Sequence, residues 1–179
     1  TLRFHSGPDG RYIDFDITLR APADGPLLMG DNKDGTMAVR VAQWMSMPHK
    51  VRGADVGGVG HIVTAKGERD GKAWSTRAEW CDYNGEHNGK TYGIAIFDHP
   101  QNLRHPTWWH VRDYGLFGAN PFGTKDFEIG RDKTVAKDIG NYTIPAGGNL
   151  RLRYRLYFHN GDEKAAKLDT RYAEYAAGK

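Results

Sequence analysis

The chain has 179 residues, with 25 basic and 22 acidic side chains and a formal charge of +3. That length suits one domain with a buried core rather than two, and the interspersed charges argue against a nucleic-acid or anionic-membrane binder, which carries a basic stripe. No apolar run approaches the roughly 18 residues of a membrane span.

Strand signals dominate from the N-terminus onward. Thr1 to Phe4 already has strand character, so the chain is expected to begin inside a sheet, its natural start removed upstream. In 11–20, Ile13, Phe15, Ile17 and Leu19 alternate with Asp14, Asp16, Thr18 and Arg20, the period of a half-buried antiparallel strand. The same alternation predicts strands at 37–41, 73–81, 92–97, 108–113 and 150–158. Turn clusters separate them, including Asn84-Gly85; Asp70-Gly71 and Asn88-Gly89 have the residues of two-residue hairpins. The four glycines within 52–60 predict a flexible loop. Arg151, Arg153 and Arg155 share one strand face, expected to be a solvated outer surface. One helix is expected, over 162–176, with Asp162 as its N-cap. The fold class is all-β, an antiparallel β-sandwich of one domain with a C-terminal helix. The single cysteine, Cys81, excludes an internal disulfide and a cysteine-based zinc cage.

The chemistry-bearing residues concentrate in 93–123. Alternation in 107–113 puts Trp108, His110 and Arg112 on one face and Trp109, Val111 and Asp113 on the other. The second set suits a core. The first suits the wall of a polar cleft, with an indole to stack on a sugar ring, a guanidinium to hold hydroxyls and an imidazole to move protons; a half-exposed face of mutually shielding side chains is the plainer alternative. Asp98, His99 and His105 bracket the preceding loop, each histidine stiffened by a following proline. They are candidates for acid/base chemistry, with turn formers bonding the backbone as the plainer and favoured alternative. Glu79 is a candidate base or hydroxyl acceptor, or half of a surface pair with Arg77. Trp74 and Trp80 flank that pair as stacking candidates. Asp31 and Asn32 sit in a turn that can line the site. The histidine spacing matches no compact metal motif, so no metal and no cofactor are expected.

The segments GDNKDGTMAVRVA (30–42), WSTRAEWCDYNGEHNGKTYGIAIFDHPQNLRHPTWWHVRDYGLFGANPFG (74–123) and LRLRYRLYFHNG (150–161) together resemble the bacterial PmoA-like family, labelled "methane oxygenase PmoA", a domain of unknown function. The resemblance implies a soluble, β-rich and often exported protein. It further implies a large sandwich similar to the galactose mutarotase supersandwich, whose relatives bind or modify sugars. Family members carry an upstream half with a His-Pro-His-His segment, which has no counterpart here. The chain is therefore expected to be the C-terminal part of a supersandwich or a shortened member. The functional expectation is acid/base chemistry on a carbohydrate, in the manner of an epimerase, lyase or glycoside hydrolase. Its rivals are a non-catalytic sugar-binding or assembly module and, more distantly, a metal-dependent oxygenase. The expected partner is a small carbohydrate, with neither nucleic acid nor membrane.

Overall fold

The computed structural model describes residues 1–7 and 10–178. Its main layer is a six-stranded antiparallel sheet built from β1 (Leu2–Gly7), β2 (Gly10–Arg20), β7 (His61–Thr64), β8 (Trp80–His87), β9 (Lys90–Asp98) and β13 (Asn149–Asn160). Their order is β1-β2-β13-β9-β8-β7. A smaller sheet of β4 (Met37–Arg40), β10 (Trp108–Val111) and β11 (Leu116–Asn120), in the order β10-β11-β4, packs on one face of it. The pairs β3 (Leu27–Met29) with β12 (Tyr142–Ile144) and β5 (His49–Val51) with β6 (Ala54–Val56) complete the strands. The molecule is thus an all-β antiparallel sandwich, as the alternation predicts.

The core between the layers joins Trp109, Val111 and Phe117 of the small sheet to Tyr83, Ile96 and Leu152 of the large one. The outer face of the large sheet carries a second cluster, in which Trp80, Phe97 and Tyr157 are covered by Leu168 and Tyr175 of α2 (Leu168–Ala176). No helix among the described residues is long and apolar enough to cross a membrane.

Several local expectations are corrected. The helix begins at Leu168, not 162: Asp162 caps a turn by accepting the Lys164 and Ala165 amides, but Lys167 then adopts a left-handed φ of 54° that interrupts the helix. Residues 73–79 are not a regular strand. Ser75 has φ 64°, and only a bridge from Arg77 to Trp108 is extended pairing. Asn84-Gly85 lies inside β8, whereas Asn88-Gly89 does turn the β8–β9 hairpin with both residues at positive φ. Asp70-Gly71 falls in a 3-10 turn, Asp70–Lys72, instead of joining two strands. The glycine-rich 52–60 segment is a structured hairpin edge: a Cβ on Gly58 would lie 1.6 Å from the Trp44 carbonyl oxygen, so glycine is what lets this segment pack against 44–47. The arginine row is no plain solvated face either. Arg155 lies between the rings of Tyr12 (3.9 Å) and Tyr175 (4.7 Å) and forms a bidentate pair with Asp14, while Arg151 pairs in the same way with Asp16.

Candidate functional site

Asp98 ends β9 and is fully buried. A buried carboxylate needs donors, and this one has three: the Thr107 amide (2.9 Å) and His105 Nδ1 (2.8 Å) on Oδ2, and Asn102 Nδ2 (2.7 Å) on Oδ1. Because the carboxylate only accepts, His105 Nδ1 carries the proton and a neutral ring presents a bare Nε2. That nitrogen faces the Tyr172 hydroxyl of α2 at 3.5 Å, and the hydroxyl donates to the Asp98 carbonyl at 3.2 Å. Burial first, then the nearby Asp98 and Glu79 carboxylates, push the Tyr172 phenol well above its ordinary pKa, so it stays a proton donor. The His105 side chain is 18% exposed, which leaves a route from solvent to the ring. Asn102 anchors the assembly to the sheet, its amide bonding both the N–H and the carbonyl of Arg153 on β13.

Asp98, His105 and Glu79 thus come together, with Glu79 half-buried at the same sheet end, where its carbonyl accepts the Asp98 amide. His99 points elsewhere. Its ring meets Tyr175 edge-on and lines a groove of about 340 Å³ with Arg151, Arg153 and Tyr175. Burial, then the charge of Arg153, lower its pKa to about 4, and its Nδ1 accepts the Gln101 amide as a neutral ring does.

His110 is also apart from the Asp98 group. The face split of β10 holds, with Trp109 and Val111 in the core, but the Trp108–His110 face is covered too. Phe127 of α1 (Thr124–Glu128) stacks on Trp108 and meets His110 edge-on. Trp108 donates to Glu128, and Arg77 lies 4.5 Å over its ring while bonding the Arg104 and Pro106 carbonyls. His110 Nδ1 donates to the Lys33 carbonyl; burial lowers its pKa. Arg112 lies over Trp74, which meets Phe127 edge-on. Trp80, on the opposite face of the large sheet, donates to Asp169 under α2. The rings of Trp80 and Trp108 are therefore occupied by protein groups and offer no open face to a sugar. Asp31 accepts the Lys125 and Gly140 amides and Asn32 the Asp34 amide, so both brace loops.

Sequence reasoning missed Tyr172 and Asn102, and it missed a second buried pair, Asp82 with His159 (Oδ1 to Nε2, 2.9 Å), which lies on the outer face beside Tyr157. Burial alone would lower the His159 pKa, but the Asp82 hydrogen bond and charge outweigh it and raise the value. The pairing spans 77 positions. It follows from the register, in which His159 and Asn84 both lie opposite Gly93, and no local motif announces it.

No curated protein and no solved structure matches the chain significantly. The model of the family of unknown function DUF6807 matches residues 1–173, nearly the whole chain, and the protein therefore belongs to that family.

Proposed function

We propose that this protein carries out acid/base chemistry on a carbohydrate at the His105 imidazole. The observation that carries the reading is the buried Asp98 carboxylate on His105 Nδ1, which orients the ring and leaves Nε2 toward Tyr172 and solvent. In this reading His105 takes or gives the proton, the Tyr172 hydroxyl turns from the Asp98 carbonyl to donate to a substrate oxygen, and half-buried Glu79 balances the proton. Asp98 is a positioning residue, because its oxygens are spent on protein donors and no surface remains for substrate. The resemblance to PmoA-like proteins, with the mutarotase-like sandwich it implies, supports the substrate class. His110 and Trp108, enclosed by Phe127 and the Lys33 loop, have structural roles in this scheme.

A non-catalytic carbohydrate-binding module is the second reading, favoured by the way Asp98 and Asn102 brace the 98–107 loop onto β13. The test is turnover across a panel of neutral and acidic glycosides by the wild type and by His105→Gln, with circular dichroism as the folding control. Acid/base work by His105 predicts a loss of about 10²-fold or more with the fold retained. Unchanged turnover in the variant would overturn the assignment, and binding without turnover in the wild type would select the module.

A further inference from the structure

A cleft of about 910 Å³ opens at the opposite end of β9 and β13 from Asp98, where Arg11, Trp44, Tyr92, His159, Lys167 and Arg171 line it. Its construction is specific. Trp44 sits in the 3-10 turn Gln43–Met45, held from behind by Gly58, and meets Tyr92 edge-on (6.2 Å) and His87 at a tilt (4.9 Å). The opposite wall is the capped turn after Gly161, which ends at left-handed Lys167. At the floor, His159 is fixed by Asp82 behind it, and its side chain is only 2% exposed. A Cβ on Gly93 would come within 2.1 Å of the His159 ring, so this position is kept clear for the imidazole. The ring's other nitrogen, Nδ1, is buried near the Asn160 and Gly161 backbone without a hydrogen bond of good geometry.

Among the described residues the charge of the cleft is one-sided. Its described lining holds Arg11, His87, Lys167 and Arg171 besides His159, and no aspartate or glutamate. Asp82 balances His159 and Glu174 pairs with Arg171, but among the described residues Arg11 and Lys167 have no carboxylate within ion-pair distance. Guanidinium and ammonium groups beside aromatic rings select a ligand that is anionic and has an apolar face.

From this we infer that the cleft between Trp44 and Lys167 binds an acidic saccharide of the uronate type, its carboxylate on Arg11 and Lys167 and its ring against Trp44 and Tyr92. The anionic half of the inference stands on the cleft alone, and the saccharide half rests on the function proposed above. Calorimetric titration with digalacturonate and with the neutral disaccharide galactobiose tests it, using the wild type, Arg11→Ala/Lys167→Ala and His105→Gln. Both cations are at the surface, so the double variant retains its fold. The expected result is that digalacturonate binds the wild type at least tenfold more tightly than galactobiose does. The double variant should lose about tenfold or more of that affinity, and His105→Gln should keep it. Equal affinity for the two sugars, absence of digalacturonate binding, or undiminished binding by the double variant would each overturn the inference. Digalacturonate binding lost only in His105→Gln would also overturn it while leaving the acid/base reading standing.

Discussion

At the scale of single residues, two histidines, His159 and His99, have opposite titration consequences. His159 has a folded-state pKa above its unfolded value of about 6.5. Its contribution to stability is therefore complete below pH 6.5 and lost as the pH rises through the raised value. His99 is the reverse case, held down to about 4 by burial and Arg153, so its contribution weakens as the pH falls from about 6.5 toward 4. These two groups together place a stability maximum near pH 6.5. Urea unfolding between pH 6.5 and 9 should show wild-type stability declining with pH and Asp82→Asn losing that slope, since the carboxylate that raises His159 is gone. A slope that persists in Asp82→Asn would refute the linkage. Asp98 and His105 are both candidates in the sequence but not as a pair, because the loop that brings them together has no motif of its own. Tyr172 is not among the candidates, because only the docking of α2 brings its hydroxyl to the ring.

At the scale of elements, alternation in a strand says which side chains share a face but not what covers that face. This explains the mixed outcome for β10. The split between Trp109 with Val111 and Trp108 with His110 is visible in the sequence, whereas the lid supplied by Phe127 comes from a five-residue helix with no periodicity long enough to detect. The same limit applied to 73–79, where alternating residues belong to a turn, and to 162–167, where Lys167 breaks a helical pattern. β9 tolerates no side chain at Gly93, where a Cβ would press 2.1 Å from the His159 ring. Gly93→Ala is expected to cost about 1–3 kcal/mol by overpacking, read as a lower urea midpoint with an unchanged m-value. A midpoint equal to wild type would mean that the ring can move away without loss, contrary to a fixed Asp82–His159 pair.

At the scale of the whole molecule, the small sheet covers only part of the large one. Beyond its reach, Ile13, Phe15, Ile17 and Leu19 on β2 are only partly buried, and β1 leaves Leu2 52% and Phe4 72% exposed. The alternation of β2 was plain in the sequence, but the incomplete cover depends on how far the opposing layer extends, which no strand pattern encodes. Among the described residues no strand pairs with the outer edge of β1, and an outermost strand with exposed apolar side chains is a site of association. Phe4→Lys should slow aggregation on warming, measured by light scattering, and change unfolding stability by no more than about 0.5 kcal/mol. An unaltered aggregation rate would show that association starts elsewhere.

β9 and β13 also act as a ruler. Tyr154 lies opposite Asp98 and His159 opposite Gly93, five pleats further along both strands. At about 3.4 Å per residue the two Asp–His pairs stand roughly 17 Å apart, on a span that paired strands hold rigid. Five is an odd number of residues, so the side chains at the two levels project to opposite faces of the sheet: Asp98 sits level with Tyr154 on the inner face, and His159 beside Tyr157 on the outer one. A ligand at one pair cannot run along the sheet to the other, so the spacing keeps the two pairs independent.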